Sequence, residues 1–171
     1  GNNSNFIDVK FLGERINQKD FNLLSRIKKN VKRLDLSGID LSSISLSGLK
    51  QYENLAYLNL NNSSINFDIL YKNIPASVKT LIISNNILSV GDFEKLITNP
   101  NLNRVFAYNT LVDNDEINLI TTSSNNRFYF GISLDDFASN VPLKIPEFKF
   151  ESQTLFTDSL KIDLIRDISN P

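Results

Sequence analysis

Asp8 and Asp35 are the side chains of this sequence whose spacing could best support acid–base chemistry, because paired carboxylates are the usual machinery of polysaccharide hydrolysis. A basic residue stands 25 positions from each of them, Arg33 from Asp8 and Lys10 from Asp35. A neighbouring cation would give each carboxylate an ion-pair partner, which explains both aspartates without catalysis. A polysaccharide-acting enzyme is therefore the least favoured of the functions that the sequence suggests.

Composition restricts the remaining chemistry. The 171 residues include no His and no Cys, so the sequence offers no histidine-based catalytic triad, thiol nucleophile, disulfide or thiolate zinc site. It also contains no glycine-rich phosphate loop. The sequence therefore predicts no enzyme activity, no catalytic residue, no metal site and no cofactor.

Charge and hydropathy limit the partners. The formal net charge is −1, which predicts no strong attraction to nucleic acid or to an anionic membrane. No apolar run approaches the roughly 18–20 residues that cross a bilayer, so no membrane span is predicted. The chain contains no Met and begins at Gly1 in a polar stretch, and we therefore expect it to be a processed or excised piece of a longer protein.

One apolar pattern recurs along the chain every 23 to 25 residues. Each copy reads apolar-x-x-apolar-x-apolar, and a fourth apolar position follows five residues later. The six copies begin at Phe6, Val31, Leu55, Val78, Leu102 and Arg127. Of their 24 framework positions, 23 are apolar, and Arg127 is the exception. A fixed period in this range predicts a solenoid in which each copy forms one turn.

The pattern resembles the LxxLxLxxNxL motif of the leucine-rich repeat family, over roughly residues 6–137. LIISNNIL from Leu81 shows the motif most clearly, with Asn86 at the asparagine position. The resemblance implies an α/β solenoid: a horseshoe segment with a concave parallel sheet and a convex side of short helices and irregular turns. In the family this asparagine bonds backbone groups in the turn after the strand. The other copies carry Glu14, Ile39, Ser63, Thr110 and Asp135 there; the serine, threonine and aspartate could replace it in part, and the isoleucine cannot.

The segments between copies are predicted to return as short helices or irregular turns. DFNLLSRIKKN has helical apolar spacing, with Asp20 as its N-cap. DFEKLITNP repeats this arrangement with Asp92 as its N-cap, and DNDEINLITT from Asp113 predicts a third helix. The stretch around Pro75 is predicted to be extended.

The two ends of the chain are predicted to differ. Residues 1–5 are expected to form a disordered or tag-like tail, and residues 6–137 the repeat domain. Residues 138–171 leave the repeat pattern, and they are predicted to cap the last strand with an extended arm followed by a helix. The apolar stripe of that helix comprises Phe156, Leu160, Leu164 and Ile168. Alternatively, this helix binds a partner or links to a missing domain. No comparable cap is predicted at the N-terminal end.

The strand face that points away from the core is the predicted functional surface. Side chains alternate across a strand, so the third, fifth and seventh positions of each copy should lie on this face. Its C-terminal half is rich in aromatic and apolar residues, which dominate interface hot spots together with arginine. The predicted partner-binding residues are Tyr57, Ile82, Arg104, Phe106, Tyr108 and Tyr129. Phe106 is expected to contribute most, because it lies mid-column beside Tyr108.

These features favour a protein–protein interaction module, a monomer that binds a protein or peptide on its concave strand face. The resemblance to leucine-rich repeat proteins of bacterial pathogens implies a secreted effector that acts on a host protein, outside the cell or in the host cytosol rather than in the bacterial cytoplasm. Two alternatives remain open. One is a surface or scaffolding spacer, and the other is a parallel β-helix enzyme acting on polysaccharide.

Overall fold

The apolar framework positions lie in short strands that pair into one sheet. The computed structural model describes residues 5–110, 128–131, 150–156 and 160–167, and it defines side-chain surroundings for residues 6–110. The strands are β1 Asn5–Phe11, β2 Val31–Asp35, β3 Tyr57–Asn59, β4 Thr80–Ile82, β5 Arg104–Tyr108, β6 Phe128–Gly131, β7 Phe150–Phe156 and β8 Leu160–Asp167. Their order in the sheet is β6-β5-β4-β3-β2-β1-β8-β7. Strands β1 to β6 pair in parallel, whereas β8 pairs antiparallel with both β1 and β7. The described residues thus form an α/β fold whose parallel sheet does not close into a barrel.

The core is built from columns of equivalent residues. The following framework residues have no exposed surface: Val31, Leu34, Leu36, Leu55, Leu58, Leu60, Val78, Leu81 and Ile83. Parallel pairing in register places each of these above its counterpart in the next strand. Burying such continuous apolar columns is the main favourable contribution to folding.

Helices join successive parallel strands and add their buried side chains to the same core. They are α1 Gln18–Leu23, α2 Phe67–Asn73 and α3 Val90–Thr98, with 3₁₀ turns at Leu24–Arg26 and Ser47–Gln51. The side chains that they bury include Phe21, Leu24, Leu49, Phe67, Leu70, Phe93 and Leu96. The described residues therefore contain one sheet with helices packed on it, which differs from the several parallel sheets of a β-helix. The helix predicted from Asp113 lies outside the described residues.

The helices begin earlier than the sequence analysis predicts. Asn17 caps α1 by accepting a hydrogen bond from the Asp20 amide at 2.8 Å. Ser89 caps α3, and it exchanges two hydrogen bonds with Asp92 in a capping box. The prediction that Asp20 and Asp92 are N-caps is therefore wrong, and both lie in the first turn, where the helix dipole favours a carboxylate. Helix α2 was not predicted, and the extended stretch follows it from Ile74.

The first copy begins one residue later than predicted. Ile7, rather than Phe6, pairs with Val31, and the register shifts between Ile7 and Asp8. This irregularity accommodates one extra residue, Lys32, in β2. Ile7 belongs to the core, whereas Phe6 is only half-buried and lies under the Lys32 ammonium, 4.5 Å from the ring centre. The assignment of Phe6 to the framework is therefore wrong.

The C-terminal segment forms strands rather than the predicted helix. β8 pairs with β1 over seven residue pairs, from Asn5↔Arg166 to Phe11↔Leu160. Side chains four residues apart lie on one side of a strand as well as on one side of a helix. The spacing of Leu160 and Leu164 therefore fits both structures, and Ile162 between them completes the alternation of a strand.

The same strands correct the prediction for the two ends of the sheet. β7 and β8 lie beside β1, so the N-terminal end that was predicted to be bare is covered. Covering it satisfies backbone groups that an edge strand would leave unpaired. Asn5, which was assigned to a disordered tail, begins β1. Residues 1–4, the arm before Phe150, the predicted boundary at 137/138 and Ile168 lie outside the described residues.

Asn86 is buried in the turn after β4, and its side chain bonds five backbone groups. Its Nδ2 donates to the carbonyls of Leu60, Ile83 and Ser84 at 2.8, 3.0 and 3.1 Å. Its Oδ1 accepts from the amides of Ser63 and Ile65 at 3.2 and 3.4 Å. The role expected for Asn86 is confirmed, because buried backbone groups in a turn need such partners.

Other side chains take this position in neighbouring copies. Ser63 Oγ donates to the Leu36 carbonyl at 2.8 Å, and Thr110 Oγ1 donates to the Ala107 carbonyl at 3.3 Å. Both hydroxyls therefore replace the asparagine in part, as expected. Ile39 is fully buried and contributes only apolar contact, and Asp135 lies outside the described residues.

We predict that Asn86→Ala destabilises the protein by at least about 3 kcal/mol, because five backbone groups would lose a partner and each group left unsatisfied costs about 1–3 kcal/mol. Urea unfolding followed by circular dichroism measures this loss. Ile87→Ala is the matched control, since Ile87 is the next residue and is 78% exposed, and it should change stability by less than about 0.5 kcal/mol. Equal effects of the two substitutions would contradict the role of the Asn86 network.

The register between β1 and β8 sets like charges opposite one another. Asp163 is the partner of Asp8, and Lys161 is the partner of Lys10. Like charges directly opposite in an antiparallel pair are destabilising. The same register pairs apolar residues at four positions, Phe6↔Ile165, Ile7↔Leu164, Val9↔Ile162 and Phe11↔Leu160. The apolar pairs therefore determine the register, and the charge repulsion is the smaller cost.

We predict that Lys161→Glu raises stability by about 0.2–1 kcal/mol, because it converts a repulsive cross-strand pair into an attractive one. Thermal unfolding at low and high salt measures the gain, which should shrink as salt screens the charges. The matching variant Lys161→Glu in a Lys10→Gln background removes the partner charge and should lose most of the gain. A gain that is the same in both backgrounds would argue against the β1–β8 register.

Candidate functional site

The register of the parallel strands defines the columns of the exposed strand face. The third-position column runs through Asp8, Arg33, Tyr57, Thr80 and Arg104, and the fifth-position column through Lys10, Asp35, Asn59, Ile82 and Phe106. Both columns follow the predicted order across β1 to β5. Equivalent residues in them are about 4.8 Å apart along the sheet, so neighbouring side chains are in reach of one another.

The N-terminal half of this strand face carries two ion pairs. Arg33 Nε lies 3.9 Å from Asp8 Oδ2, and Lys10 Nζ lies 3.9 Å from Asp35 Oδ2. Both contacts join the neighbours that the sequence predicts. Partly exposed pairs of this kind contribute about 0–1 kcal/mol each. These contacts give both aspartates a structural role in the sheet.

Arg33 and Tyr57 connect the charged half of the face with its apolar half. The Arg33 guanidinium lies 4.5 Å from the centre of the Tyr57 ring, a cation–π contact. Burial raises the pKa of the Tyr57 hydroxyl, and the positive charge of Arg33 opposes part of that rise. Tyr57 is half-buried, so part of its surface remains accessible.

The C-terminal half of the face differs from the prediction at Phe106. Phe106 was expected to lie on the exposed face and to contribute most to binding, but its side chain is only 7% exposed. Ile82, Arg104 and Tyr108 are half-buried and remain on the surface. Facing away from the core is therefore not sufficient for exposure, because large neighbouring side chains on the same face also cover one another.

Strand β6 is displaced by two residues from the predicted repeat pattern. Phe128 and Phe130 pair with Val105 and Ala107, so Tyr129 lies opposite Phe106. The prediction had placed Tyr129 beside Arg104. A shift of two residues preserves the alternation of the strand, so apolar residues still lie beside the apolar framework of β5.

An asparagine ladder lies beside the strand face, and the sequence analysis did not identify it. Asn85 Nδ2 donates to Asn61 Oδ1 at 2.7 Å, and Asn109 Nδ2 donates to Asn85 Oδ1 at 3.0 Å. Together with Asn62, Asn86 and Ile87, these residues line a shallow depression of about 450 Å³. The ladder extends the polar surface at the C-terminal ends of the strands.

A signal for two of the three ladder residues, Asn85 and Asn109, was present at the eighth position of the first five copies. The residues there are Gly13, Gly38, Asn62, Asn85 and Asn109, and all five have positive φ. Glycine adopts such angles without cost, and asparagine is the side chain that tolerates them best. The recurrence of glycine and asparagine at this position indicates a positive φ, and it would have predicted the turn that aligns the amides.

Metal and membrane chemistry find no support in the described residues. No three His, Cys, Asp or Glu side chains within them group closely enough to hold a metal ion. The helices among them are also too short or too polar to cross a membrane. The amides, hydroxyls, aromatic rings and cations of the strand face are suited to binding through contact and hydrogen bonds.

Comparisons with known proteins leave the family of the chain open. No protein-family model matches the sequence, and no curated protein is similar to it.

We predict that Tyr57 ionises above its ordinary pKa of about 10, because its burial disfavours the tyrosinate. Tyrosine ionisation is followed by ultraviolet absorbance during an alkaline titration, and the difference between the wild type and Tyr57→Phe reports the ionisation of Tyr57. Arg33→Gln should raise its pKa further, since the arginine stabilises the charged form. A titration of Tyr57 at or below its ordinary value would contradict the described packing.

The sign of the effect on stability follows from the raised pKa. Folding favours the protonated Tyr57, so its contribution is fully present below the unfolded pKa and is lost as pH rises through the folded one. As pH rises from the unfolded to the folded pKa of Tyr57, the free energy of unfolding of the Tyr57→Phe variant should therefore fall less than that of the wild type.

Proposed function

We propose that this chain is a leucine-rich repeat solenoid of about six copies that binds a protein or peptide through its strand face. The observation that carries the proposal is the accessible, half-buried group of Tyr57, Ile82 and Tyr108 on an otherwise polar sheet, with Arg104 beside it. Aromatic residues and arginine supply most of the binding energy in protein interfaces. Phe106 is only 7% exposed, so it offers the partner little direct contact.

Pre-organisation of the face supports binding by contact. Tyr57 and Ile82 lie in strands whose two neighbours fix the backbone on both sides. Tyr108 is held by its amide, which donates to Ser84 Oγ at 2.9 Å. A surface that is already ordered loses little conformational entropy on binding, which favours affinity.

The size of the face favours an extended or helical segment as the partner. Six strands spaced by about 4.8 Å cover roughly 24 Å, and a strand width of about 10–15 Å gives roughly 240–360 Å². A stable interface between globular proteins buries about 800 Å² on each partner. The adjoining turns, including the asparagine ladder, would enlarge the contact for a peptide that crosses the strands.

The biological setting that we propose follows the bacterial leucine-rich repeat proteins that the repeat resembles. In this setting the chain belongs to a secreted effector and its partner is a host protein. The alternative role of a spacer domain would leave the strand face without a ligand, and the binding experiment below separates the two.

We predict that Tyr57→Ala/Ile82→Ala weakens peptide binding by about tenfold or more, because truncating a hot-spot side chain costs at least 1–2 kcal/mol. Peptides would be selected from a random displayed library on the immobilised wild type, and their affinities measured by fluorescence anisotropy. Leu23→Ala/Ile69→Ala is the matched control, since both residues are exposed apolar side chains in α1 and α2. Melting curves would verify that both variants fold.

Two outcomes would count against the proposal. The first is a library selection that yields no peptide with a preference for the wild type. The second is a set of peptides that bind both double variants equally well, because their contacts would then lie away from the strand face.

A further inference from the structure

A strongly basic edge borders the sheet where the parallel strands begin. We define the start edge as the segments that lead into β2, β3, β4 and β5, residues 26–32, 50–56, 72–79 and 99–104. They contain eight cationic side chains and one carboxylate, Glu53. The cations are Arg26, Lys28, Lys29, Lys32, Lys50, Lys72, Lys79 and Arg104. This concentration is hidden in the overall net charge of −1.

Hydrogen bonds between successive segments make the start edge continuous. Lys28 Nζ donates to Gln51 Oε1 at 2.7 Å, and Asn54 Nδ2 donates to the Lys29 carbonyl at 2.7 Å. Ser77 Oγ donates to the Tyr52 carbonyl at 3.2 Å. The Lys79 carbonyl then accepts from the Asn103 amide at 2.8 Å. The cations therefore form a row along one edge rather than scattered surface charges.

Most of these cations are not neutralised within the described residues. Those that form no ion pair with another described residue are Arg26, Lys28, Lys29, Lys50, Lys72 and Lys79. By contrast, Lys95 further along α3 lies 3.1 Å from Asp68. Unpaired like charges in a row repel one another, so the start edge is a cost to the isolated fold that an anionic partner would relieve.

Helix dipoles explain only part of this charge. A cation in the last turn of each return segment is favoured by the dipole, and Arg26, Lys50 and Lys72 occupy such positions. Lys28, Lys29 and Lys79 lie beyond the helix ends, where that stabilisation has fallen away. These additional cations, which the helix ends do not explain, are the feature that points to a partner.

We propose that the start edge binds an extended, acidic segment of a protein, as a second surface that adjoins the strand face at Arg104. A single row of flexible lysines suits a narrow anionic chain that lies along the edge. The side chain of Tyr52, the aromatic residue of these segments, is only 3% exposed, which leaves no platform for stacking nucleic-acid bases. No exposed large apolar side chain of the described residues lies in these segments, so they offer nothing to insert into a lipid surface.

The test uses a fluorescein-labelled peptide of about eight residues with alternating Glu and Ser, which extends over roughly 26 Å. Its Gln counterpart, a duplex RNA oligonucleotide and phosphatidylserine vesicles are measured in parallel with the whole chain. We expect the Glu peptide to bind, to bind better than the Gln peptide, and to weaken as salt is raised, because the attraction is electrostatic.

Lys29→Glu/Lys79→Glu should weaken binding of the Glu peptide by at least about tenfold, whereas the control Arg15→Glu/Lys19→Glu should change it by less than about twofold. Both double variants have the same net charge, and the control residues lie outside the start edge. The start-edge variant should be at least as thermally stable as the wild type, because it removes repulsion. Lost binding therefore would not reflect unfolding.

Three results would overturn the proposal. The first is no difference between the Glu and Gln peptides. The second is an equal loss in the two double variants, since only net charge would then matter. The third is start-edge-dependent binding of RNA or vesicles that exceeds peptide binding, which would assign the edge to that class of partner.

Discussion

The parallel stacking of equivalent apolar residues is the constraint on which the rest of this structure depends. Leu34, Leu58 and Leu81 occupy one column, and burying that column requires the strands to pair in register. Once the register is fixed, it also determines which side chains are neighbours on the opposite face of the sheet. Its side chains meet the neighbours that the apolar columns assign to them, whether the resulting contacts are attractive or repulsive.

The pairing of charged residues shows that the apolar register also determines their neighbours. On β1 and β2 the assigned neighbours are oppositely charged and form two ion pairs. Between β1 and β8 the register that pairs the apolar residues places Asp8 opposite Asp163 and Lys10 opposite Lys161. Each exposed charge pair contributes at most about 1 kcal/mol, whereas burying one large apolar side chain contributes about 1.5–3 kcal/mol. Apolar matching therefore prevails wherever the two conflict.

The segments that connect the parallel strands carry charges of opposite sign at their two ends. Asp20, Asp68 and Asp92 lie in the first turns of the three α-helices, and lysine or arginine residues accumulate where the return segments end. Because every parallel strand begins at the same side, these cations converge on one edge. The proposed acidic-segment surface and the proposed peptide-binding face thus arise from the same repeated unit.

The sequence by itself determined the apolar columns, the pairing order of β1 to β5, the role of Asn86 and the two ion pairs. The columns, the pairing order and the ion pairs follow from local periodicity, since residues at one position of a repeat must stack, whereas the role of Asn86 is what the resemblance to leucine-rich repeats implies. Only the tertiary structure decided the burial of Phe106, the displacement of β6, the use of Ile7 instead of Phe6 and the pairing of β8 with β1. Burial depends on the size of neighbouring side chains, and a spacing of four residues fits a strand as well as a helix. Such choices are settled by contacts between distant segments, which no local pattern encodes.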